Sequence, residues 1–122
     1  MAANKLIRFG PAYLAASATN VVTPGAAPAS AVGYTSTAPY VILRHVRITN
    51  KTAGAVTFSL YVGATGGSAG GTEVIGNALS VPANQAYDWY GSLRLDTADF
   101  LSGLASAGTS LVFEAEGEVG LS

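Results

Sequence analysis

The chain offers few residues with which to do chemistry: a single histidine, three glutamates spaced by two near its end, and a short Asp-x-x-Asp. His45 stands alone, and cysteine is absent. With no thiolate and no second histidine at metal-binding spacing, a histidine-based metal site lacks its ligands. As a general base His45 would need a nucleophile and an orienting acid brought to it by the fold, and no serine is expected on a nucleophile elbow. His45 therefore reads as a strand-surface histidine. Glu114, Glu116 and Glu118 fall side by side on one face of a strand, where the side-chain period is two. Such acids suit a calcium site or a glycosidase pair. Arg44, Arg47 and Arg94 on other strands supply a plainer reading, a salt-bridged face or pairing between subunits. Asp96 and Asp99 form half a calcium loop without the remaining ligands, and read as a turn in which Asp side chains bond nearby N–H groups.

The glycine-rich run 63–71 lacks the Lys-Ser/Thr and the βαβ setting of a phosphate cradle, and reads as a mobile connection. The aromatic run Tyr87-Asp88-Trp89-Tyr90 places Tyr87 and Trp89 on a core face and Tyr90 on the opposite face, where it suits an interface. No catalytic, cofactor-binding or metal-binding residue is expected.

The elements that must carry these residues are strands. Nowhere does an apolar i, i+3, i+4 pattern persist, whereas period-2 alternation bounded by Gly, Asn, Thr and Pro recurs. Short strands are expected at 5–9 and within 12–23, the latter anchored by Val21 and Val22. A strong strand follows at 40–49, with Val46 and Ile48 on one face and His45, Arg47 and Thr49 on the other. Residues 55–62 alternate cleanly and, across the turn at 50–54, are expected to pair with 40–49 as a hairpin. Further strands are expected at 72–75, 78–81, 86–95 and 110–119, while 99–105 fits either a strand or a helical turn. The expected core is Val46, Ile48, Val56, Phe58, Leu60, Val62, Trp89, Leu93, Leu95, Leu111 and Phe113. About eight short strands with regular turns predict an all-β, single-domain antiparallel β-sandwich, jelly-roll-like. The division expected is an extended N-terminal arm over 1–40, rich in Ala and Pro, and a sandwich core over 41–122.

Length and composition bound the function. A chain of 122 residues suits one domain and can bury a core without staples. Charged residues make up only 11%, against about a quarter in ordinary domains, with a net charge of −1. That balance argues against a nucleic-acid partner, which needs clustered basic residues. It fits a surface largely covered by neighbouring protein. No window approaches a membrane span, and the first residues do not read as a signal peptide. The expectation is a protein made in the cytoplasm, with no membrane partner and no cofactor.

From residue 43 onward the chain resembles small structural proteins of tailed bacteriophages and prophages. The resemblance rests on Leu-Arg-His-Val-Arg-Ile-Thr-Asn-Lys-Thr, Ala-Val-Thr-Phe-Ser-Leu-Tyr-Val-Gly, Val-Pro-Ala-Asn-Gln-Ala-Tyr-Asp-Trp-Tyr and the stretch 110–118. It covers about the last two-thirds of the chain and carries no catalytic motif. It implies a virion component, most like a capsid decoration or cement protein, with the major capsid protein and further copies of itself, as a trimer, as partners. Such proteins grip the shell with an extended arm. The interface residues expected are Lys5, Arg8, Phe9, Tyr13, Tyr34 and Tyr40 in the arm, with Arg47, Tyr90, Glu114 and Glu116 in the sandwich. Alternative readings are a tail, baseplate or fibre-associated virion protein and a carbohydrate-binding module using Tyr61, Tyr90 or Trp89. An enzyme acting through Glu114 and Glu116 is the remaining one.

Overall fold

The computed structural model describes residues 5–24, 40–96 and 98–120. Among them are eight strands and no helix. They are β1 (Lys5–Tyr13), β2 (Thr19–Val22), β3 (Tyr40–Asn50), β4 (Val56–Gly63), β5 (Glu73–Val81), β6 (Ala86–Asp96), β7 (Phe100–Ala105) and β8 (Leu111–Val119). They form two four-stranded antiparallel sheets, ordered β1-β8-β3-β6 and β2-β7-β4-β5. The pairs β1·β8, β2·β7, β3·β6 and β4·β5 trace one long folded-over ribbon. Rolling that ribbon sets β8 beside β3 and β7 beside β4, which is the jelly-roll arrangement.

The expected hairpin between 40–49 and 55–62 does not form. β3 and β4 lie in different sheets, and the segment between them is a corner. Asn50, only 1% exposed, builds that corner. Its Nδ2 donates to the carbonyls of Gly54 (2.8 Å) and Val81 (3.0 Å), while its Oδ1 accepts from the N–H and hydroxyl of Thr52. Alternation in both strands is equally compatible with pairing to each other or to other strands, and the side chain of Asn50 decides for the crossing.

The first residues are not an arm beside a finished sandwich. β1 is an edge strand of one sheet and β2 of the other, and Ile7, Phe9, Leu14 and Val22 are all buried. Leu14 sits where the chain changes sheet: its N–H bonds Leu111 O at 3.0 Å, and Ala15 O accepts from Ala105 N–H at 2.9 Å. Residues 25–39, the rest of the expected arm, lie outside the described residues. The core between the sheets joins these four to Val41, Leu43, Val46, Ile48, Phe58, Leu60, Leu95, Leu101, Leu111, Phe113 and Val119. Val62, Trp89 and Leu93, expected inside, are partly buried against it. Each large side chain buried in full contributes roughly 1.5–3 kcal/mol.

Two further expectations change, and one open alternative is settled. The two short strands expected at 72–75 and 78–81 are one strand, β5 (Glu73–Val81), kinked where Ile75 (φ 68°) and Ala78 (φ 51°) take left-handed backbone. Of the stretch 99–105, which fitted a strand or a helical turn, Phe100–Ala105 is strand β7. The glycine-rich loop is tied down rather than loose: Asn20 Nδ2 donates to Thr65 Oγ1, Gly66 N–H donates to Asn20 Oδ1, and Ser102 Oγ donates to Gly67 O. The Asp96–Asp99 turn has the expected form, with Asp96 N–H bonded to Asp99 Oδ2 at 3.0 Å.

Candidate functional site

The polar residues singled out in the sequence converge on the outer face of the β1-β8-β3-β6 sheet. One row crosses all four strands: Arg8 stands opposite Glu116, Glu116 opposite His45, and His45 opposite Tyr90. A second row runs Glu114, Arg47, Asp88 across β8, β3 and β6. The inner positions of the same strands are apolar, so alternation alone sends these side chains outward.

Arg44 breaks the alternation. A register shift between Leu43 and His45 places Arg44 and His45 in succession on the outer side while Leu43 and Val46 both stay buried. This is a β-bulge, a device that re-aims side chains. Gly117 accommodates it, because a Cβ there would collide with the carbonyl oxygen of Ile42 and approach Leu43 Cα to 2.9 Å.

Ion pairs then lock the face. Arg44 Nη2 lies 2.8 Å from Glu118 Oε2, and Arg44 Nη1 donates to Ser92 Oγ. Arg47 Nε donates to Asp88 Oδ1 at 2.7 Å. His45 Nε2 contacts the same Asp88 oxygen at 2.7 Å, and its Nδ1 lies 3.4 Å from Glu116 Oε1. The Arg47 hydrogen bond, followed by that of His45, holds the Asp88 carboxyl below the usual carboxylate range, and Asp88 in turn raises Arg47. Of the three arginines expected to meet the glutamates, Arg44 forms an ion pair with one. Arg47 turns to Asp88, and Arg94 bonds Asp96 on its own strand (2.9 Å) while its guanidinium lies 4.4 Å from the Tyr40 ring centroid. Glu114 still faces Arg47 across the strand pair.

Above this network the Tyr90 ring stacks on the His45 imidazole, centroids 4.6 Å apart and planes 11° from parallel. Tyr90 is 70% exposed and Leu6, at the far edge of the sheet, is 81% exposed. Between them lies an open groove of about 610 Å³ floored by His45, Glu116 and Gly117. Alternation in 86–95 set Asp88 and Ser92 on the outer face beside Tyr90 but gave them no role, and Leu6 was passed over although the alternation of β1 could have placed it outward.

The remaining expected interface residues scatter. Phe9 is 3% exposed and belongs to the core, because the β1 alternation that exposes Arg8 turns Phe9 inward. Lys5 opens β1 opposite Val119. Tyr13, half exposed, accepts a hydrogen bond from Lys51 Nζ at 2.8 Å. Tyr34 lies outside the described residues. The aromatics proposed for sugar binding do not share a face: Trp89 packs toward the core, Tyr61 belongs to the other sheet, and Tyr90 stands on this one.

Chemically, both His45 nitrogens are turned toward carboxylates and neither toward a hydroxyl. The letters Gly-x-Ser-x-Gly do occur, at 66–70. Ser68 lies there on the exposed loop between β4 and β5, with no strand-to-helix elbow and on the other sheet from His45. Among the described residues no group of three or more His, Asp or Glu could hold a metal ion. The chain matches no protein-family model, and comparison with curated proteins gives no match.

Proposed function

We propose that this protein is a structural virion component of a tailed phage that decorates and stabilises the capsid shell, binding the major capsid protein and carrying out no turnover. The observation that carries a structural role is the commitment of the polar face to itself: His45 is held between Asp88 and Glu116, and Arg44 between Glu118 and Ser92. A catalytic base needs a nitrogen aimed at the proton it abstracts, and here the imidazole is a clamp under Tyr90. The jelly roll agrees with the reading, being a fold that viral capsid and lectin domains use, although fold alone does not assign function. The choice of capsid shell rests on the sequence resemblance of residues 43–118.

The test is a reconstitution. Expanded capsid shells of the encoding phage, prepared without this protein, are mixed with it and imaged by cryo-electron microscopy. Ordered density at fixed lattice positions is the expected result. Failure to bind the shell, or labelling confined to the tail of intact particles, rejects the decoration role.

A further inference from the structure

The two central strands of the outer face carry opposite charge. β8 presents Glu114, Glu116 and Glu118, and β3 presents Arg44, His45 and Arg47. The β3 bulge makes this possible, since without it Arg44 and His45 would point to opposite faces. The row Arg8–Glu116–His45–Tyr90 has a related property, which is that its reversal matches it with itself: a cation meets an aromatic ring and a carboxylate meets a histidine. A face of this kind is complementary to a second copy turned about a two-fold axis that runs along the strands between β8 and β3.

We infer that this protein self-associates through the outer face of its β1-β8-β3-β6 sheet, face to face with a second copy about that axis. The acidic strand of each copy lies over the basic strand of the other, so Glu114 faces Arg47 and Glu118 faces Arg44. Arg8 of each copy lies over the open side of the other's Tyr90 ring, whose near side His45 already covers. Leu6 and Tyr90, the two most exposed large apolar side chains among the described residues, become buried at the flanks. The contact is isologous and closed, so it ends at a dimer. The charges set register and exclude misaligned copies, and the apolar flanks supply the buried area. This arrangement is distinct from the three-fold one that the resemblance to decoration proteins implies, and it does not rest on the capsid assignment.

Sedimentation equilibrium of the wild type is expected to show a concentration-dependent dimer. E114R and R47E should each weaken it by about tenfold or more, as like charges meet across the axis. Mixing the two folded variants should restore association, because both cross-axis contacts are then attractive. A second measurement does not depend on those charges. The chain has no cysteine, so R8C and Y90C each introduce one thiol. A short bis-maleimide should join R8C to Y90C in a mixture far better than it joins either variant to itself, since like positions stand about three strand spacings apart, roughly 14 Å. A wild type that stays monomeric or forms trimers overturns the inference. So does a mixture of folded charge variants that fails to associate, or R8C self-linking as efficient as the mixed reaction. A monomer that still decorates shells would reject this interface and leave the proposed function standing; a dimer that ignores shells would do the reverse.

Discussion

Arg44 and Gly117 are a matched pair: the bulge that turns Arg44 outward brings the β3 backbone so close to β8 that the position opposite has no room for a side chain. The collision a Cβ would make is with backbone atoms, Ile42 O and Leu43 Cα, which cannot swing aside. Gly117→Ala is therefore expected to lower stability by about 1–3 kcal/mol, in the range of overpacked core sites. Chemical denaturation measures it; a change within about 0.5 kcal/mol, as at ordinary surface positions, would show that the two strands do not approach this closely.

Phe9 distinguishes an integral β1 from a detachable arm. Its side chain is almost fully buried in the core shared with Phe113 and Leu14. Phe9→Ala should cost roughly 3–5 kcal/mol. If residues 5–13 were an arm that docks only on a partner, the isolated protein would melt at the same temperature with or without the substitution.

Asn50 anchors the corner between the sheets. Replacing it with Ala leaves the buried Val81 carbonyl and the Gly54 carbonyl without their donor, and removes the acceptor of two Thr52 hydrogen bonds. A loss of about 1–3 kcal/mol is expected. Asn50→Asp should also destabilise, since a carboxylate keeps the acceptor and loses the donor. Equal stability of the Asp variant and the wild type would argue that the donor bonds to Gly54 and Val81 contribute nothing.

The pH dependence should carry the mark of Asp88. Its carboxyl titrates lower in the folded chain than in the unfolded one, chiefly because Arg47 bonds it and secondarily because His45 does. The corresponding stabilisation is present above the ordinary carboxylate value of about 3.9 and disappears as pH falls below it. Asp88→Asn removes that contribution, so the Tm difference between wild type and variant should shrink between about pH 6 and pH 3. A gap that stays constant over this range would mean the carboxylate gains nothing from its partners. The pair is partly exposed, so the effect is small and should weaken further in high salt.

His45 and Tyr90 form a stack that stands on the ion-pair network rather than on the core. His45→Ala should lower the melting temperature only slightly, stacking of this kind contributing about 0.5–1.5 kcal/mol at most. Its clearer signature is local. The ring resonances of Tyr90 in NMR should lose their upfield displacement while those of the buried Phe58 and Phe113 hold. Unchanged Tyr90 shifts would show that the stack is not maintained in solution.

The fold class was legible in the sequence because strand periodicity is local. Alternation in β3, β4 and β8 sorted Val46, Ile48, Phe58, Leu60 and Phe113 inward and His45, Arg47, Glu114 and Glu116 outward, and each lies as expected. Which strands pair was not legible. Period two is satisfied by any neighbour, so the proximity of 40–49 and 55–62 suggested a hairpin, whereas β3 pairs with β6 and β8 and β4 pairs with β5 and β7. Residues 5–24 misled for a related reason. β2 has four residues, too few for alternation to register, and Gly10 interrupts β1 with φ +85° at a point where a Cβ would come within 2.6 Å of Phe113 O. The charged face shows the same division. Sequence determined which residues point outward, since that follows from the pleat. Only the tertiary structure decided that Asp88 takes Arg47 and His45, because the partners of a charge are fixed by which strands lie side by side, and the roll of the ribbon sets that order.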